Sequence, residues 1–251
     1  MKNLVLCGCS LGESWMPYFE SSVYDDYYTW YNNYRYDDVT RSKEKWDTTW
    51  IQLGGGGHGY MVNGLHDHFL TNDISTSTIV AQFTGFSRKT LVARKPMQNR
   101  PESKKFQEQY SRLIVNKLTD SEEYHLCDNQ WKEYNEEFPL NRLSGDYNYV
   151  NLISSLCMLS KLGADVYAFR GWQNNADKIW DNTKSYLKKS NITYTELDYL
   201  SECIKLSTKE EDWEDETHPQ ASLGTKAFHN IWKELNACLL YTSPSPRDSS
   251  P

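Results

Sequence analysis

Three times in its amino-terminal third, this chain runs a short apolar or β-branched stretch straight into glycine. Leu4-Val5-Leu6-Cys7 closes on Gly8, the stretch from Thr49 to Leu53 closes on Gly54 to Gly57, and Thr78 to Phe83 closes on Gly85. Each stretch has the length of a strand and is too short for an independent helix. Continuous rather than alternating apolar character marks strands buried on both faces, as in parallel sheets. Such sheets place their chemistry beyond the carboxyl ends of the strands. The first of these ends is the most informative, because Gly8-Cys9-Ser10-Leu11-Gly12 is a Gly-x-Ser-x-Gly turn leaving a strand. Glycine at 8 and 12 permits backbone angles closed to other residues, so the turn is tight and presents a hydroxyl. Ser10 is therefore the candidate nucleophile.

The rest of the chain supplies the covering helices. Apolar residues at 149, 150, 152, 153, 156, 159 and 162 predict a helix from about Tyr147 to Leu162, stopped by Gly163. A strand at Asp165 to Phe169, a helix at about Asp177 to Lys188, a strand at Ile192 to Leu197 and a final helix at about Ser222 to Asn236 follow. Strand and helix alternating over short connections predict one α/β domain over residues 1–237, built on a parallel sheet of about five strands. Residues 94–146 are polar and broken by proline, and read as an insertion or lid with a helix around Phe106 to Lys117. Residues 238–251 resemble a translated sequencing adapter and are set apart as a non-native tail.

Composition narrows the function classes. The chain has 251 residues, 38% of them hydrophobic, enough for a sizeable core. A net charge of −7, spread along the sequence, argues against a nucleic-acid partner. No apolar run approaches the roughly 20 residues of a membrane span, and Met1-Lys2-Asn3 enters a strand without a signal segment, so a soluble, cytoplasmic protein is expected. The cysteines have no framework spacing and are expected to be reduced thiols.

Several clusters invite chemical readings. Between residues 15 and 50 aromatic residues are dense, from Trp15 and Tyr18 to Trp46 and Trp50. Their spacing over 24–35 suits an amphipathic helix packed on the sheet, and their rings equally suit a rim over a site for a sugar or acyl group. The glycines at 54–57 lack the downstream residues of a phosphate loop, and fit an oxyanion site of backbone N–H groups better. His58, His66 and His68, with Asp67 and Asp73 nearby, invite a metal reading, but the His66-x-His68 pair lacks a third ligand at a recognisable spacing and the three are read as surface histidines. Asp215 precedes His218 by three residues, which lets one loop deliver a base together with the carboxylate that orients it.

In that order of elements, the chain resembles the SGNH/GDSL hydrolases. The resemblance rests on Gly8-Cys9-Ser10, on the glycine turn after the second strand, on Gly85-Phe86-Ser87 after the third, and on Asp215-x-x-His218. It implies a flavodoxin-like three-layer α/β/α fold and a cofactor-free, metal-independent serine esterase acting on a small-molecule or carbohydrate acyl ester. Ser10 would be the nucleophile, His218 the base and acid, and Asp215 its orienting carboxylate. The oxyanion hole would use the N–H groups of Ser10 and Gly57, with Gly56 as the neighbouring alternative, and Ser87 stands where the family has an asparagine. Trp15 and Arg88 are the substrate-binding candidates. The substituted asparagine keeps a second reading open, a weak or inactive member used as a carbohydrate-binding or attachment module.

Overall fold

The computed structural model describes residues 2–9, 11–19, 38–52, 57–84, 89–94, 112–116, 121–126, 144–171, 177–215 and 218–242. Its centre is a five-stranded parallel sheet made of β1 (Lys2–Gly8), β2 (Trp46–Gln52), β3 (Ser77–Phe83), β7 (Asp165–Arg170) and β8 (Thr193–Asp198), in the order β2-β1-β3-β7-β8. The chain moves from β1 outward to β2 and then crosses to the far side of β1, which puts a topological switch point between β1 and β3. Gly8 and Gln82 stand at that crevice.

Side-chain alternation along the strands separates two cores. Leu4, Leu6, Val80, Tyr167 and Phe169 face one way, where they pack on α1 (Gly12–Trp15), α5 (Tyr199–Leu206) and α6 (Ala221–Thr242). Val5, Cys7, Ile79, Ala81, Val166 and Ala168 face the other, against α2 (His58–Phe69), α3 (Ser144–Lys161) and α4 (Asp177–Lys189). The result is the expected three-layer α/β/α architecture. Helix α3 stops as its sequence indicates. Gly163 takes φ +107°, and the N–H groups of Gly163 and Ala164 return to the carbonyls of Ser160 and Leu159 at 3.1 Å each. That is a Schellman cap.

The insertion differs from expectation. β4 (Lys89–Arg94), β5 (Arg112–Asn116) and β6 (Ser121–Leu126) form an antiparallel sheet in the order β4-β6-β5, so it begins before residue 94. The helix expected over Phe106 to Lys117 is contradicted at 112–116, where Leu113-Ile114-Val115 pair along β6; the rest of that range lies outside the described residues. A run with consecutive β-branched residues suits a pleated strand better than a helix once a partner strand is available. The aromatic segment 24–35 also lies outside the described residues. Helix α5 was not expected; Asp198 caps it by accepting the N–H of Ser201 at 2.9 Å. The final helix continues to Thr242, past Ala237. Among the described residues no helix is long and apolar enough to cross a membrane.

Candidate active site

The turn after β1 is held from beneath. The Cys9 carbonyl accepts the N–H of Gly12 at 2.8 Å, and Ser14 donates its hydroxyl to the Leu11 carbonyl at 2.8 Å. The reason for the glycines differs from the one the sequence suggests. Among the described residues only Gly163 is a glycine with positive φ. A Cβ on Gly8 would lie 3.0 Å from Met16 Cε and 3.1 Å from Gln82 Oε1, and one on Gly12 would lie 2.9 Å from Met16 Cε and 3.0 Å from Gln52 Cγ. These positions need room, not unusual angles.

Asp215 and His218 share a loop built to pair them. Trp213 and Pro219 form an antiparallel bridge, Glu214 N–H donates to the His218 carbonyl at 2.8 Å, and Gln220 N–H donates to the Asp212 carbonyl at 2.8 Å. Across this narrowed base, His218 Nδ1 lies 2.9 and 2.8 Å from the two Asp215 carboxylate oxygens, and the His218 main-chain N–H donates to Oδ1 at 2.8 Å. A carboxylate facing Nδ1 holds the ring proton there and makes Nε2 the basic nitrogen. The carboxylate is 55% exposed and the imidazole 24%. Pairs this exposed contribute only about 0–1 kcal/mol to stability, so the geometry is better understood as orientation.

Packing ties the helix that follows this loop to the helix that follows β1. Helix α6 starts three residues after His218, and its first turns pack on α1. At the contact, the hydroxyls of Ser14 and Tyr199 lie 2.6 Å apart, and a Cβ on Gly224 would collide with both Tyr199 and Ser14. Thus α1, α5 and α6 meet four residues from Ser10.

Three side-chain ties close a ring among the sheet's carboxyl-end loops. Gln52, at the end of β2, donates Nε2 to Glu13 at 2.9 Å. Gln82, near the end of β3, accepts the Cys9 N–H at 3.4 Å. His58 Nε2 accepts the Thr84 N–H at 3.1 Å. The turn after β1 is therefore linked to the ends of β2 and β3, and the exit of β3 to the start of α2. Sequence reasoning missed the two glutamines, although a long amide side chain late in each of two buried strands was a readable signal.

Of the other expected site residues, Gly57 is the buried N-cap of α2. Ser10, Gly56, Ser87 and Arg88 lie outside the described residues. Trp15 does not fit a substrate-binding role. It is 0% exposed, stacked on Phe228 at 4.7 Å and edge-on to Phe169 at 5.2 Å, because the face it occupies needs large rings to fill it. His58 is likewise no surface histidine, being completely buried. His66 meets Ser155 Oγ at 3.3 Å and His68 packs edge-on to Phe69. Among the described residues no three His, Cys, Asp or Glu side chains are placed to hold a metal ion. Cys7, Cys9, Cys157 and Cys203 are free thiols, and burial pushes Cys7 and Cys203 well above the ordinary thiol range, which removes them as nucleophiles.

The chain matches no protein-family profile and no curated protein sequence. Among solved structures, it is similar to the crystal structure of TesA, with a TM-score of 0.49 and 9% identity, covering 94% of this chain and 99% of that one. It is also similar to a protein from Parabacteroides merdae described as a GDSL-like lipase, with a TM-score of 0.39 and 8% identity, covering 94% of this chain and 96% of the other.

Proposed function

We propose that this protein is a serine-dependent hydrolase of small acyl esters, working through an acyl-enzyme intermediate. The observation that carries the reading is the Asp215–His218 pair, whose Nδ1-to-carboxylate geometry leaves a basic Nε2 on the loop that leads into α6, the helix packed on α1. In this reading His218 takes the proton of the Ser10 hydroxyl as its oxygen attacks the ester carbonyl, and then delivers that proton to the departing alcohol. Water repeats the sequence on the acyl-enzyme and regenerates Ser10. Asp215 holds the tautomer and offsets the imidazolium charge. The N–H groups of Ser10 and Gly57 receive the oxyanion, Gly57 at the positive end of α2. Ser87 supplies a hydroxyl where an amide donor stands in the SGNH/GDSL hydrolases that the sequence resembles, and Arg88 flanks the substrate. The substrate is a small-molecule or carbohydrate ester.

Hydrolysis of p-nitrophenyl acetate by the wild type, Ser10→Ala, His218→Ala and the double variant tests this. All three variants are expected at one common residual rate, at least about 10⁴-fold below wild type, because triad members act as a unit. Turnover retained in Ser10→Ala would remove Ser10 as nucleophile. A wild type without turnover would favour the binding-module reading that the substitution at Ser87 keeps open.

A further inference from the structure

The buried imidazole of His58 has no part in the proton transfers described above, yet it directly follows Gly57, on whose N–H an oxyanion would rely, and is bonded to Thr84 at the exit of β3. We propose that His58 is a positioning residue: in its Nδ1–H tautomer it ties the exit of β3 to the start of α2 and so fixes the N–H of Gly57, the oxyanion donor that precedes it, against the sheet. This rests on the acyl-transfer reading given above and names a residue that reading does not use.

The tautomer follows from the partner. A main-chain N–H has no acceptor capacity, so Thr84 N–H at 3.1 Å requires a lone pair on Nε2, and the proton of the neutral ring resides on Nδ1. The ring is gripped on both sides. Tyr149 of α3 meets it edge-on at 4.9 Å and 85°, and Phe83 of β3 lies 5.9 Å away. The Tyr149 hydroxyl is engaged with Thr183 Oγ1 at 2.7 Å, and burial pushes it up to about 12, so it meets the imidazole as a neutral ring.

Position in the chain gives the contact its consequence. Gly57 immediately precedes His58, and Thr84 immediately precedes Gly85-Phe86-Ser87. One hydrogen bond therefore holds Gly57, with no residue between it and the His58 anchor, against the exit of β3. Donors act on an oxyanion only when held within roughly 0.5 Å of the productive geometry, and a rigid ring held between two others provides such a spacer. A water at this position would satisfy Thr84 N–H without fixing a distance.

Two measurements on the full chain test the proposal. In ¹⁵N NMR of the labelled protein, His58 should show an unprotonated Nε2 with a through-bond correlation to the Thr84 amide, and that amide should exchange slowly. A proton on Nε2, or a fast-exchanging Thr84 amide, would overturn the tie whatever the activity. In p-nitrophenyl acetate hydrolysis, His58→Leu should lower kcat about 10- to 100-fold with KM nearly unchanged, less than the roughly hundred- to thousandfold cost of deleting a donor outright. His58→Gln, whose side-chain oxygen reaches the position of Nε2, should recover most of that loss. Wild-type kcat in a His58→Leu variant with native near-ultraviolet circular dichroism would overturn the proposal. Should the leucine variant not fold, a folded His58→Gln with kcat more than about tenfold below wild type would overturn it equally. Wild-type protein lacking Ser10-dependent turnover would instead sink the acyl-transfer reading, and the oxyanion role of His58 with it.

Discussion

The two faces of the sheet are filled by different chemistry. On the side of α2, α3 and α4 the core is mostly aliphatic, with Val5, Ile51, Leu65, Ile79, Leu152 and Leu156. On the side of α1, α5 and α6 it is strongly aromatic, and Trp15, Tyr18, Phe19, Phe169, Phe228 and Trp232 form a connected set of stacked and edge-on rings. The aliphatic face does general work, since branched side chains of similar volume replace one another at modest cost. The aromatic face does local work. Its rings lock the four-residue helix after β1 to the helix that follows the His218 loop, and large flat groups with preferred pair geometries resist sliding.

The comparison breaks most sharply in a paired truncation. Trp15→Ala should cost about 3–5 kcal/mol and Leu156→Ala about 2–5 kcal/mol in urea unfolding, so the two are similar in stability. They should part in activity. With both proteins fully folded, ester hydrolysis should fall at least about tenfold in Trp15→Ala and stay within about twofold of wild type in Leu156→Ala. Equal losses of kcat in the two variants would end the distinction between the faces.

A smaller perturbation sharpens it. Gly224→Ala drives a methyl group into Ser14 and Tyr199, where the obstruction includes main chain and cannot swing away. Overpacking of this kind costs about 1–3 kcal/mol. Because α6 carries the His218 loop, kcat should drop more than a melting-temperature shift of that size would suggest. Restoring space with Gly224→Ala/Tyr199→Phe should recover part of both. If kcat is unchanged in Gly224→Ala while stability falls, the contact between α1 and α6 does not place the loop.

The smallest effect concerns the base of that loop. The Asp212 carboxylate is held below the usual carboxylate range chiefly by the N–H of Thr208, with that of Lys209 also contributing, against a smaller opposing effect of burial. A carboxyl whose folded value is depressed stabilises the fold above its unfolded pKa and loses that contribution as pH falls through the folded value. Acidification below about pH 4 should therefore loosen the turn, read as a change in Trp213 fluorescence, since the indole N–H is bonded to Ser207 Oγ at 2.8 Å within the same turn. Asp212→Asn should lack the transition. An identical acid profile in the variant would assign the change elsewhere.

Much of the architecture was legible from the chain. Apolar runs at Leu4 to Cys7 and Ile79 to Ala81 call for burial on both faces, and Gly163 ends a helix through a local preference; these are short-range constraints that any window of sequence contains. The Asp215–His218 pairing belongs to the same class, because three residues and one turn are enough to bring its atoms together. The strand at Arg112–Asn116 was not legible, since its β-branched run acquires meaning only with β6 beside it. Trp15 could be placed in a core or on a rim by its chemistry alone; Phe169 and Phe228, which reach it from other elements, put it in the core. The tie between His58 and Thr84 likewise joins residues whose pairing no local pattern announces, and the glycines at 8 and 12 are explained by Met16, Gln52 and Gln82 rather than by their own dihedral angles. What the sequence determined by itself was whatever depends on neighbours within a few residues. Which surfaces then met, and therefore which polar groups were buried and which loops were linked, was decided only by the packing of distant elements, because burial and close approach are properties of the assembled core.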